Sequence, residues 1–466
     1  MLTKLFHRLL HRPPSPVKKV SSGDSIPAST EALDRQAPLR QEQTPEVSGN
    51  DGLGATILCR EAILDRQQKI AGYQFMLQET VHAHIRSQSR RIFHLYAEVL
   101  IRQLARANIG PLLGHRIALV EIPDSFLDSP QLTQLPPDNT LFILRPIEDA
   151  NAPSEETLRE RVRDLRTRGY RVGIPYPLEN PVYQNLLPDI DLVSLQGDSF
   201  GVGQGIALAR NFLKTKPHAA LLARDLPGME DFDFCFKIGV TLFQGAFITS
   251  REQWPERNLG PDFSRLSMLL NKLREDADTR EIVALFKQDA AITLRLLRYI
   301  NSAANGLREH VASIEQAIAL LGRAPLRRWL ALLLCSSNRD QPRAAAVLET
   351  ALIRARTMEL ISASRTVAER ETIFLTGLLS LIDVILQQPL EHALETLAID
   401  TEIREALLNE QGPYAPALTL ARACESRNTG RIVAAAAACG VDPEQASIWY
   451  MDALAWTLTL QQENSN

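Results

Sequence analysis

Between Asp289 and Leu334 apolar residues recur with the period of a helix. Ile314, Ala317, Ile318 and Leu321 stand at i, i+3, i+4 and i+7 and form one apolar face. Ser313 and Gln316 precede that face three apart, a pair able to satisfy free amides at a helix start. Gly322 stands where a left-handed residue ends a helix cheaply, and Pro325 suits the first turn of the next one. That next helix carries Leu326, Trp329, Leu330 and Leu333 at the same spacing, and Ile292, Leu296, Tyr299 and Ile300 mark a third upstream. The pattern predicts a compact all-helical module. Such stripes are core, and by themselves they name no function.

From Ala55 to about Arg251 the period changes. Short β-rich runs (TILCREAIL, KIAGYQFML, RIALVEI, TLFILRP, YRVGIPY, DLVSLQ, AALLARDL and VTLFQGAF) alternate with helical stretches such as Glu155–Arg168, whose Leu158, Val162 and Leu165 share a face. Strands separated by crossover helices predict a parallel sheet with helices outside, and this many repeats predict a barrel of the (β/α)₈ type. Pro255 to Asp262, with Gly260-Pro261, reads as a hinge, and Asn338 to Arg343 as a polar loop. Three divisions follow: a tail over 1–52, the barrel over 53–255 and the helical module over 262–462. The fold class is α/β followed by all-α.

Within the tail, Leu2, Leu5, Phe6 and Leu9 line one side of a short basic helix that Pro13-Pro14 ends. It reads either as a weak membrane anchor or docking peptide, or as a frayed terminus; it is too short for a secretory signal. Residues 21 to 52 are rich in Ser, Pro, Gln and Glu and read as a linker.

Composition narrows the class without choosing a function. A chain of 466 residues, 45% hydrophobic and 23% charged, is globular and long enough for two or three domains. Lys and Arg total 51 against 55 Asp and Glu, a net charge of −4, so no basic field points to nucleic acid. The five cysteines (Cys59, Cys235, Cys335, Cys424 and Cys439) form no C-x-x-C and point to a reducing compartment. No apolar run approaches the ~20 residues that span a bilayer. The expected location is cytoplasmic, at most peripheral at the inner membrane.

The helical region has a more specific wording. DAAITLRLLRYINSA from Asp289, SIEQAIALLG from Ser313, LRRW from Leu326, FLTGLLSLID from Phe374 and IREALL from Ile403 together resemble an HDOD domain. In particular they resemble its version in bacterial EAL–HDOD signalling proteins, a resemblance that runs over everything after Leu53. It implies a barrel of EAL type, the fold of phosphodiesterases that cleave cyclic di-GMP with two divalent cations held by oxygen ligands.

The positions that the resemblance assigns to those ligands are exchanged here. The signature glutamate of G-Y-E-L-L falls on Gln74, an asparagine on Glu121 and the next glutamate on Arg145. The paired aspartates fall on Pro175 and Tyr176, a lysine and an aspartate on Ser194 and Gln196, and a last glutamate on Arg224. Only Phe243-Gln244-Gly245 is kept. In the helical module the His-Asp pair of the related HD hydrolases falls on Ser380-Leu381, a loss typical of HDOD domains. Upstream stand Arg354 and Arg356 with no histidine. His310 and His392 read as solvated turn residues. Gly201-x-Gly203-x-Gly205 has the wrong spacing for a nucleotide loop.

These exchanges lead to the expectation of a protein that is not an enzyme and needs no metal or cofactor. It would work as a scaffold or adaptor that binds signalling or motility proteins. The alternative is a metal-independent sensor of cyclic di-GMP or another anion. For that ligand the candidates are Arg145, Arg224 and Gln244, the two arginines taken to sit on neighbouring strand ends; pairing with Glu121, Glu148 or Asp225 is the plainer reading. For a protein partner they are Arg323, Arg327 and Arg328, beside the turn at Gly322 and off the apolar stripe; a solvated basic turn is the plainer reading.

Overall fold

The structure is a computed structural model. It describes residues 58–77, 90–147, 152–176, 181–196, 219–255, 260–301, 311–336, 343–397, 399–426 and 428–462. The basic segment and linker of 1–52, the Gly201-x-Gly203-x-Gly205 stretch, Asn338 and His310 lie outside them.

All eight runs expected to be strands are strands: β1 (Leu58–Leu64), β2 (Ile70–Leu77), β3 (Ile117–Pro123), β4 (Thr140–Arg145), β5 (Arg171–Tyr176), β6 (Leu192–Gln196), β7 (Ala220–Arg224) and β8 (Leu242–Gln244). They close into one barrel in chain order. The barrel departs from the all-parallel expectation at one place. β1 runs antiparallel to both β2 and β8, whereas β2 to β8 are parallel. The reason is local. Only five residues separate β1 from β2, too few for a crossover, and they form a tight turn. In it Lys69 N donates to Asp65 Oδ1 at 2.9 Å and Gln68 takes a positive φ of 56°.

Strand alternation sends Ile63, Leu119, Leu141, Ile143, Leu192 and Leu222 into the lumen, where they form their own small core. The outer faces bury a larger core against helices. Among the described residues those of the barrel region are α1 (Arg90–Arg106), α2 (Ile109–Leu113), α3 (Glu155–Thr167), α4 (Pro181–Leu186) and α5 (Met229–Lys237). In α3, Ser154 caps the start and Leu158, Val162 and Leu165 are the buried face, as their spacing predicts.

From Gly260 onward the elements among the described residues are all helices: α6 (Pro261–Arg274), α7 (Thr279–Lys287), α8 (Ala290–Ile300), α9 (Ile314–Leu321), α10 (Arg323–Cys335), α11 (Ala344–Ile361), α12 (Val367–Leu379), α13 (Ile382–Leu386), α14 (Leu390–Thr396), α15 (Thr401–Leu408), α16 (Ala415–Glu425), α17 (Thr429–Cys439) and α18 (Pro443–Gln462). Ser313 caps α9 by accepting from Gln316 N, and Gly322 ends it at φ 81°. Gly377 in α12 is needed for close packing: a Cβ there would lie 2.5 Å from Ala355 Cα of α11.

Two cores divide the helices unequally. One is private to the helical region and centres on Trp329, Tyr299 and Phe374. The other is continuous with the barrel and takes in Ala346 and Ile353 of α11, Leu420 and Cys424 of α16, Ile432 of α17 and Tyr450 and Leu454 of α18. The last three helices therefore cover the outer face of the barrel beside β1.

Candidate functional site

The parallel strands of such a barrel converge at their C-terminal ends, where reacting groups collect in enzymes of this architecture. Here the inward side chains at that end are tied to one another. Arg224 on β7 forms an ion pair across the lumen with Glu121 on β3. Gln244 on β8 donates to Glu61 on β1 and, at 2.8 Å, to Gln74 on β2. Asp225, one residue past β7, accepts from Gln196. Arg145 does something else: its guanidinium lies 4.6 Å from the ring of Phe93 on α1.

Arg145 and Arg224 are not on neighbouring strand ends, as the sequence led us to expect, because β5 and β6 stand between β4 and β7. Arg224 and Gln244 do meet at the lumen, each in a polar pair, and Arg145 is apart from them. Glu61 was missed, although alternation with Ile63 puts it inward.

Two divalent cations, the group that the EAL resemblance implies, do not fit these residues. The guanidinium of Arg224 occupies the carboxylate of Glu121. Among the described residues no three His, Cys, Asp or Glu side chains come together as a metal-binding group. A cation between them would face the positive charge of Arg224, and like charges at close range repel by several kcal/mol at an effective dielectric of ~20.

The second polar site joins barrel to helices. Glu349 of α11, 1% exposed, accepts from the Tyr73 hydroxyl on β2 and from Arg116 Nη2 at 3.0 Å, and Arg116 Nη1 also donates to that hydroxyl at 2.8 Å. Burial, and next to it the charge of Glu349, hold the Tyr73 hydroxyl well above its ordinary pKa, so it stays a donor. Arg251, beyond β8, pairs with Asp383 of α13 and donates to Ser380 O at 3.2 Å. Arg343 donates to Phe247 O and, at 2.7 Å, to Glu252.

The position assigned to the His-Asp pair is built around a cation. Arg354 Nη1 donates to Ser380 Oγ at 2.7 Å, and its other two nitrogens meet both oxygens of Glu425 at 2.8 and 2.7 Å. Burial alone would lower the pKa of Arg354; Glu425 outweighs it and holds the guanidinium charged.

The three arginines expected to face a partner do not act as a set. Arg328 is buried, 3% exposed, with its guanidinium 3.4 Å from the Phe374 ring centre and ion pairs to Glu359 at 3.2 Å and Glu371 at 3.1 Å. The surface reading is corrected for this residue: the helix turns it inward beside Trp329, where two carboxylates balance its charge. Arg323 pairs with Asp276 at 3.0 Å and donates to Ala277 O, and Arg327 pairs with Asp400 at 3.6 Å.

Comparison with known proteins bears on both halves. Residues 262–410 match the family model of the HDOD domain. YuxH of Bacillus subtilis is 23% identical over 409 residues, which is 86% of this chain and 97% of that protein. A Vibrio cholerae protein named cyclic di-GMP phosphodiesterase CdgJ is 22% identical over 413 residues, 87% of this chain and 93% of that one. Among solved structures, an EAL domain protein of Listeria monocytogenes is 15% identical, with 41% of this chain and 87% of that chain covered and a TM-score of 0.34. Klebsiella pneumoniae BlrP1, solved with manganese and cyclic di-GMP, is 16% identical, with 42% and 56% covered and a TM-score of 0.34.

One expectation is overturned. The exchanged ligand positions led to a protein that is not an enzyme, yet a relative matching along most of both chains is named a phosphodiesterase. Exchange at those positions is a fact about residues and does not exclude activity. No helix among the described residues is long and apolar enough to cross a membrane. The chain thus carries an HDOD domain at residues 262–410 behind a closed eight-stranded barrel whose structural neighbours are EAL domain proteins.

Proposed function

We propose that this chain is a signal-transduction protein of cyclic di-GMP regulation in which barrel and helices act as one body, and that the helical part presents the surface read by a signalling or motility protein. The observation that carries this reading is the junction. A continuous apolar core and three polar ties, at Glu349, Asp383 and Arg343, fasten α11, α13 and α16 to α18 onto the barrel. A change at the barrel mouth would reach the helices through packed, hydrogen-bonded groups. The Vibrio cholerae relative named a cyclic di-GMP phosphodiesterase, matched along most of both chains, supports the signalling context.

The test is capture of partners from native cells by the full chain and by the full chain carrying Arg251→Glu, which sets a carboxylate against Asp383. The reading expects capture by the first and at least a fivefold loss with the second, both measured at a temperature at which each is folded by circular dichroism. Equal capture by both would overturn it. Turnover of cyclic di-GMP with Mg²⁺ or Mn²⁺, measured on the same preparations, tells whether hydrolysis accompanies the signal.

A further inference from the structure

The two sides of the last helix face different surroundings. One side of α18 carries Ala446, Tyr450, Ala453, Leu454 and Leu458, all buried in the core shared with the barrel. The other side presents Ile448, 48% exposed, with the partly exposed Trp449 next to it. Neither of these two belongs to any apolar core among the described residues. Glu444 and Asp452, both exposed, stand four residues before and four after Ile448 and so share its side of the helix. Asp442, just ahead of α18, is exposed as well. The helix contains no Lys, Arg or His. Among the described residues none of the three acids enters an ion pair. This side therefore offers an apolar and aromatic strip between carboxylates that lack counter-charges.

The chain joins the body beside this helix. β1 begins at Leu58, whose carbonyl accepts from Ser447 Oγ of α18 at 3.2 Å. Beyond the stretch 14–57 stand Leu2, Leu5, Phe6 and Leu9 on one side of the short helix expected from the sequence, with Arg8 and Arg12 on its flank. Residues 1–20 include no acid. At 1.5 Å rise per residue, the run Leu2–Leu9 and the stretch Glu444–Asp452 both extend over about 10–12 Å. A coil of the length of 14–57 spans about 35–40 Å, which holds a tethered segment near its exit at roughly millimolar effective concentration.

We propose that residues 1–12 dock on the outer side of α18 of the same chain, with Leu5, Phe6 and Leu9 on Ile448 and Trp449 and the cations Arg8 and Arg12 beside Glu444 and Asp452. Docking covers the apolar strip and supplies the missing counter-charges. It also closes this side of α18 to other proteins for as long as the segment stays in place.

Photo-crosslinking of the full chain, with Phe6 replaced by the photoreactive analogue benzoylphenylalanine, tests this. Adducts within one chain are expected on residues 444–452. Their yield should fall at least tenfold in Ile448→Lys, which sets a cation under Arg8 and Arg12 at an exposed position. It should fall at least threefold when Glu444→Lys and Asp452→Lys are combined. Trypsin should cleave after Arg8 at least fivefold faster in Ile448→Lys than in the unaltered chain. Should Ile448→Lys not fold by circular dichroism, the pair of acid substitutions decides. No adduct on residues 444–452, or a yield unchanged in the variants, would overturn the proposal. Adducts between unlike chains in an isotopically mixed sample would assign the face to a second copy and overturn it too. So would sedimentation with phosphatidylglycerol vesicles in place of any adduct on α18, which would assign the segment to a membrane surface.

Discussion

Arg354 of α11 grips Glu425 of α16 through two parallel N–H···O bonds, 2.8 and 2.7 Å long, while its third nitrogen reaches Ser380 Oγ. A side chain from beyond the HDOD match thereby holds the arginine that sits on Ser380, the position that the resemblance assigns to the His-Asp pair. Removing one member of a buried pair strands the other charge and costs about 3–5 kcal/mol. Arg354→Ala should therefore lower stability by about that much in urea titration, and Glu425→Gln by less, because the amide oxygen still accepts. Equal stability in Arg354→Ala would contradict the assignment.

Glu349 makes the corresponding prediction at the junction. With Tyr73 and Arg116 both directed at it, Glu349→Ala takes the acceptor from a buried hydroxyl and a counter-charge from a half-buried guanidinium, a loss of about 3 kcal/mol. Glu349→Gln keeps an acceptor and should cost less. The melting temperatures of the two variants check the order.

Arg327 and Arg328 adjoin in sequence but differ in place. Arg328→Ala removes a buried cation from Glu359, Glu371 and the Phe374 face and should cost about 3 kcal/mol or more. Arg327→Ala, with one 3.6 Å pair near the surface, should cost at most about 1 kcal/mol. Thermal unfolding of the pair of variants measures the contrast.

The same cluster sets a pH dependence. Burial would raise the pKa of Glu359, but Arg328 and then Arg356 outweigh it, and the folded value lies below the ordinary carboxylate value. A depressed carboxyl contributes stability that is present above its unfolded pKa, near 4.3, and lost as pH falls through the folded value. Glu359→Gln should therefore lower the melting temperature near neutral pH and flatten its decline below about pH 4. A decline as steep as that of the unaltered protein would show that Glu359 does not carry the effect.

Much of this fold was legible in the sequence because its elements are locally consistent. Short β-rich runs matched all eight strands, and Ser313 and Gly322 marked helix boundaries where the caps are found. The reversed β1 was also readable in principle, since five residues cannot hold a crossover. Partners were harder. Arg328 lies one residue from Arg327, and side-chain direction on a helix turns by about 100° per residue, so a shift of one decides burial. Glu349 lies 233 positions from Arg116 and 276 from Tyr73, and no periodicity joins them. The packing of α16 to α18 beside β1 joins the two ends of the chain, which only tertiary structure reveals.

The central claim is that barrel and helical region form one cooperative body. Hydrogen exchange during urea titration tests it most directly, read on strands β3 to β5 and on α11, with tryptophan fluorescence alongside. All four tryptophans, Trp254, Trp329, Trp449 and Trp456, lie beyond the barrel strands, so fluorescence reports the helical side. The account predicts a single midpoint for strands, α11 and fluorescence, and its shift as one in Glu349→Ala. Two separate midpoints, with the strands keeping protection after the helices have lost theirs, would contradict it.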